Sequence, residues 1–149
     1  MQTKFIFNFE DTIVDLEHIK EKVQKKSDLM KKISLFMRSE VQKNFDAEGR
    51  PERWKPLSPN YLKEKRALKG GGAGKILVFS GDLRRSFNVF SDNDTAEVFT
   101  GAQYGIKHQL GIGVPRRAFM PDEKSPDIPP FDIDGLNVIK EMIGRWLTG

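Results

Sequence analysis

Two stretches of this chain bring together residue types that elsewhere bind phosphate or move protons. The first is Lys69-Gly-Gly-Gly-Ala-Gly-Lys75, where glycines ahead of a lysine suggest backbone amides cradling a phosphate. The spacing fails: a phosphate loop closing on Gly74-Lys75 needs glycine at 69 and a hydroxyl at 76, where the chain has Lys69 and Ile76. With no hydroxyl to ligate magnesium, residues 69–75 read as a flexible loop that binds no nucleotide. The second stretch is Thr100-Gly-Ala-Gln-Tyr-Gly-Ile-Lys-His-Gln-Leu-Gly111, with Tyr104, His108 and Gln109 between glycines at fixed offsets. For His108 to act as a general base it would need a nucleophile and an orienting carboxylate, and nothing in the sequence pairs them with it.

Metal chemistry is equally poorly supplied. The chain has two histidines, His18 and His108, and no cysteine. Only acids could complete a site with either, and no His-x-x-x-His or Glu-x-x-His arrangement exists to hold one. No catalytic residue, metal ligand or cofactor-binding residue is therefore assigned. His108 and Gln109 are expected to be structural, with His108 satisfied by backbone carbonyls. A wall hydrolase or similar enzyme would need a paired-carboxylate or metal site that this sequence does not assemble.

Charge leaves a different possibility open. The net +4 is unevenly placed: residues 50–75 hold eight basic against two acidic groups, and residues 121–149 three basic against six acidic. A basic middle and an acidic end suit either nucleic-acid affinity or complementary faces of neighbouring subunits, or a solvated charge run. Trp54, Phe45 and Tyr61 interleave with Arg50, Arg53 and Lys55, as in single-strand binding surfaces. Core packing of Trp54, its basic neighbours in water, is the favoured reading. Arg116-Arg117 follows Pro115 and precedes Phe119; two guanidiniums on a rigid turn beside an aromatic have an interface composition.

The elements that must position these residues follow from periodicity. Phe5, Phe7 and Phe9 alternate as in a short strand; Asp11 or Thr12 can then cap a helix through Ile13, Leu16, Ile19 and Val23. Ser27 or Asp28 can cap a second, carrying the stripe Leu29, Ile33, Phe36, Met37, Val41 and Phe45. Gly49 and Pro51 end it. Ser58-Pro59 opens a short helix, Ile76–Phe79 is a buried run, and Ser80 caps a turn. Asn88–Ser91 and Ala96–Thr100 flank Asp92-Asn-Asp-Thr95, a β-hairpin pattern. Five prolines in 113–131 predict a projecting arm or loop, after which Asp134 caps a final helix over 135–148. The order indicates a single α+β domain over 1–149: N-terminal helices on a small antiparallel sheet, a Pro-rich arm and a C-terminal amphipathic helix. No apolar run reaches the roughly 18 residues that span a bilayer, so no membrane partner is expected.

In order, the chain carries Trp54-Lys-Pro-Leu57, Ile76-Leu77 with Ser80-Gly81-Asp-Leu83, Tyr104-Gly-Ile-Lys-His108-Gln109-Leu-Gly111 and Pro115-Arg-Arg-Ala-Phe119. This series resembles the phage virion morphogenesis family, the tail-completion proteins of Mu-like and P2-like phages, over roughly residues 29–120. Ser80 stands where that family usually has threonine, and Gly105 where it has alanine. The resemblance implies a non-enzymatic assembly factor, made in the host bacterial cytoplasm and carried into the virion. It further implies tail or head-tail connector proteins as partners, and a homo-oligomeric ring when assembled. Arg116, Arg117 and Phe119 are its interface candidates. A small nucleic-acid-binding protein working through residues 50–75 is the alternative.

Overall fold

The computed structural model describes residues 9–68, 74–78 and 80–149, with side chains from residue 16 onward. Its first helices are α1 (Phe9–Gln24) and α2 (Ser27–Asp46). The aromatic strand expected at Phe5–Phe9 falls almost wholly outside the described residues, as does most of the glycine loop. Phe9 itself opens α1, ahead of the expected caps Asp11 and Thr12. Of the expected α1 stripe, Leu16, Ile19 and Val23 are exposed.

α2 is the axis of the fold, as its spacing requires: Leu29, Ile33, Met37, Val41 and Phe45 are all buried. Its cap position is Lys26, not Ser27 or Asp28, and no side chain of the helix caps it. Asn93 substitutes from a distant turn, accepting the Lys26 N–H at 2.6 Å and donating to the Gln24 carbonyl at 2.9 Å. A tertiary acceptor makes the local cap unnecessary. At the other end Gly49 sits at φ +110° and donates to the Asn44 carbonyl at 2.8 Å. A Cβ there would lie 2.6 Å from the Glu52 carbonyl oxygen, so only glycine permits this reversal.

The next helix, α3 (Pro59–Ala67), begins as its sequence predicts, with Ser58 Oγ accepting the Tyr61 N–H at 3.3 Å. Ile76 is buried and Leu77 and Val78 partly so, in a turn; Phe79 lies outside the described residues. α4 (Asp82–Arg85) takes Gly81, not Ser80, as its cap, because Gly81 adopts the left-handed conformation that redirects the chain. Ser80 Oγ still accepts the Asp82 N–H at 3.3 Å. α4 is tied to α2 by a Gln42–Arg84 pair of bonds and by Arg84 on Asp46 at 2.7 Å.

The hairpin forms where expected. β1 (Phe87–Ser91) and β2 (Ala96–Thr100) pair antiparallel in a two-stranded sheet, with Val89 opposite Val98. Its inner face packs on α2; Phe90 and Phe99 face outward, exposed. α5 (Gln103–Leu110) follows, and α6 (Ile133–Thr148) closes the chain. Asp132, not Asp134, caps α6, its Oδ1 accepting the Gly135 N–H at 3.0 Å, so the helix starts two residues early. The architecture is α+β: helices on a small antiparallel sheet, with a C-terminal helix. Among the described residues no helix is long and apolar enough to cross a membrane.

Two apolar clusters share α2. The first joins Val41 and Phe45 to Trp54, Ile76, Leu83, Phe87 and Phe119. Phe45 is its centre, with ring centroids 5.5 Å from Trp54, 5.7 Å from Phe87 and 5.4 Å from Phe119. Such pairs contribute about 0.5–1.5 kcal/mol each beyond area burial. The second joins Leu29, Ile33 and Met37 to Ile139, Met142 and Trp146 of α6, and to Ala96 and Val98 of β2.

The Pro-rich segment corrects the expectation of a projecting arm. It is irregular, as the prolines require, but it is packed inward: Phe119 is 1% exposed and Arg117 6%. Side-chain amides make this possible by supplying the partners that a sheet would otherwise give. Gln109 accepts from the Phe119 and Met120 N–H groups and donates to the Met120 carbonyl at 2.8 Å. Asn44 donates to the Phe119 and Pro129 carbonyls, each at 2.9 Å. Irregular backbone can enter a core when its polar groups are bonded in this way.

Candidate functional site

Residues scattered through the sequence converge on one cavity of about 700 Å³. Its walls are the extended Lys55–Leu57 segment, Ser58, Tyr61 and Lys65 of α3, the Ser80–Leu83 turn, Tyr104 and His108 of α5, and Val114, Pro115 and Arg117. Among the motif residues singled out from sequence, Leu57, Ser80, Gly81, Leu83, Tyr104, His108 and Pro115 line it. Trp54, Gln109 and Gly111 do not, and act from behind. Trp54 is buried and donates Nε1–H to the Ala118 carbonyl at 2.9 Å. Gln109 clamps the Phe119 turn, and Gly111 ends α5 in the left-handed conformation.

Local sequence explains the mouth. Tyr61 and Lys65 are four apart on α3 and share a face; Tyr104 and His108 are four apart on α5 and do the same. Gly105, between them, lets α5 approach α4, since a Cβ there would lie 2.8 Å from Leu83 Cδ1. The alanine usual in the resembling family would require Leu83 to shift.

The cavity floor is cationic. Lys65 is 3% exposed and its ammonium donates to the Lys75 carbonyl. Arg117 donates Nε–H to the Lys55 carbonyl at 3.0 Å, and its backbone N–H to the His108 carbonyl at 2.8 Å. Burial pushes the Lys65 ammonium below its usual range, with Glu48 opposing and Arg117 adding to the shift. Burial likewise lowers Arg117, against the attraction of Tyr61. Among the described residues neither cation has a carboxylate within salt-bridge distance.

His108 differs from its expected state. Its Nδ1 is buried without a hydrogen-bond partner, so it is not satisfied by backbone carbonyls. Burial first, and Arg117 second, hold its pKa below the ordinary imidazole value, which keeps the ring neutral beside a fixed cation. Among the described residues no relay joins it to the hydroxyls of the cavity. Ser80 Oγ is bonded to Asp82, and Ser58 Oγ accepts from Tyr61. Among the described residues no cluster of acids and histidines has the composition of a metal site.

The interface candidates divide. Phe119 is a core residue and Arg117 belongs to the cavity floor. Arg116 is spent within the chain: its guanidinium reaches Asp122 at 2.7 Å through both carboxylate oxygens, and Ser125 at 2.9 Å. Burial alone would raise the Asp122 carboxyl, but bonds from Gln109 and Arg116 outweigh it and hold the group below its usual range. Within the basic segment 50–75, Arg50 is bonded to Glu40 and Asn44, and Lys65 and Trp54 are buried. Trp54 therefore offers no stacking platform. Sequence reasoning missed Asn44 and the burial of Lys65; the signal for Asn44 was a polar residue beside Phe45 on the buried face of α2.

The model of the phage virion morphogenesis family matches residues 10–146, well beyond the 29–120 span that the motifs alone carry. The chain is 32% identical over 126 residues to Mu-like prophage FluMu G protein 1 of Haemophilus influenzae, covering 81% of this chain and 79% of that one. No solved structure matches the chain significantly.

Proposed function

The chain belongs to the phage virion morphogenesis family, and on that premise we propose that it completes the tail or joins it to the head by forming a ring of subunits. The protein works by contact and not by catalysis. It is made in the bacterial cytoplasm and stays in the particle. One observation carries this reading: motif residues from four separate segments meet at a largely apolar cavity with a cationic floor, whose hydroxyls and imidazole are not wired together among the described residues. Such a cavity suits reception of another protein's side chains better than turnover of a substrate.

The test is complementation of a phage lacking this gene. Tyr104→Asp alters the cavity mouth at a half-exposed position near the start of α5, where an acid suits the helix N-terminus. The variant is expected to fold normally by circular dichroism and to yield separate heads and tails under the electron microscope. A full yield of infectious particles would refute the reading. The nucleic-acid alternative instead requires Arg53, Lys55 and Lys63 to dominate, with DNA affinity that falls steeply as salt rises.

A further inference from the structure

The cavity and the start of α6 have opposite character, and the described residues of the single chain leave each uncovered. Ile133 is 70% exposed, the most exposed large apolar side chain among the described residues, and Phe131 (42%) and Leu136 (40%) stand beside it. Acids surround this apolar knob: Asp127 and Asp134 are exposed, Asp132 caps the helix, and no basic residue occurs from 125 to 139. The cavity offers the converse, apolar walls above Lys65 and Arg117 with the exposed Lys55 at the rim, and the acid in its lining, Asp82, is paired with Arg85 at 2.8 Å. Knob and cavity share no residue.

We infer that the Phe131–Leu136 knob of one copy seats in the Tyr61–Tyr104–Arg117 cavity of the next, with Asp134 brought towards its buried cations. The contact is heterologous: every copy gives one knob and receives one, so the chain of contacts closes into a ring if the rotation between neighbours closes. Acids flanking the knob answer the positive floor, which fixes the orientation of approach and disfavours two cavities meeting face to face. The inference rests on the ring-forming reading above and identifies the partner of that cavity as a second copy of this chain.

Sedimentation velocity on the full chain tests it with two variants. Tyr104→Asp spoils the cavity and keeps the knob; Ile133→Asp spoils the knob and keeps the cavity. Both place an acid at a helix start, where it suits the helix N-terminus, so both should fold. Wild type is expected to self-associate as concentration rises, and each variant alone to remain monomeric. An equimolar mixture should give a heterodimer and nothing larger, because it contains one kind of intact contact. A mixture that stays monomeric, a single variant that still assembles, or a wild type monomeric up to about 1 mM overturns the inference. Particle yield separates the two readings. A heterodimer with unimpaired yield keeps the contact and removes the assembly role. A lost yield with no heterodimer gives the cavity to a different virion protein and overturns the self-contact.

Discussion

Asn44 offers the sharpest test of how the irregular segment is held in the core. It is fully buried; its amide donates to Phe119 and Pro129 carbonyls at 2.9 Å, and its oxygen accepts from Arg50 Nε at 2.8 Å. Asn44→Asp preserves shape and removes both donations. Two carbonyls then face a carboxylate instead of an amide, each buried acceptor costing about 1–3 kcal/mol. The stronger, charge-assisted bond from Arg50 returns about 1 kcal/mol. The net loss is about 3 kcal/mol at neutral pH, a large part of the roughly 5–15 kcal/mol that holds a domain together. Protonation restores one donor, so the deficit relative to wild type should shrink by about 1 kcal/mol on acidification to about pH 4. Urea denaturation of both proteins at the two pH values measures this. A deficit below about 0.5 kcal/mol, or one that grows on acidification, would show that the amide clamp does not anchor the segment.

Three further outcomes are expected. Gln109→Ala removes acceptors from the Phe119 and Met120 N–H groups and should cost about 2–4 kcal/mol, with faster amide exchange at those two residues. His108→Ala should cost less, in the same urea assay, because Nδ1 bonds nothing and only packing is lost. Asp122 is held below its usual range, so its contribution is full above the ordinary carboxylate range and is lost as pH falls through the lowered value. Asp122→Asn should therefore flatten the acid limb of a stability-against-pH curve; an unchanged limb would remove Asp122 from its causes.

Much of the frame was legible because it rests on local rules. The α2 stripe repeats at helical spacing, Ser58-Pro59 is a cap followed by a φ-fixing residue, and the hairpin brackets a run of turn formers. The caps of α2, α4 and α6 were misplaced for reasons the local sequence does not hold: Asn93 reaches in from the hairpin, Gly81 turns left-handed, and Asp132 captures an earlier amide. The Pro-rich segment was misread for a related reason. Prolines forbid helix and sheet interior but say nothing about burial, and Asn44 and Gln109, distant in sequence, supply what the prolines withhold. Seven of the ten motif residues named from sequence line one cavity, while Trp54, Gln109 and Gly111 lie outside its lining; the cations beneath did not announce themselves, because Lys65 reads as one more charge in a basic run.

The sharing of α2 between two clusters has a mechanical consequence. α6 is held by Leu29, Ile33 and Met37, which lie on the opposite half of that helix from the aromatic cluster around Phe45. Detaching α6 therefore opens one cluster and leaves the other closed, and the two halves of the subunit need not melt as one. Amides of α6 should exchange with deuterium well before those at the C-terminal half of α2. A chain built this way can let its last helix yield, as a hinged latch does, without loosening the aromatic pivot on which the rest of it turns.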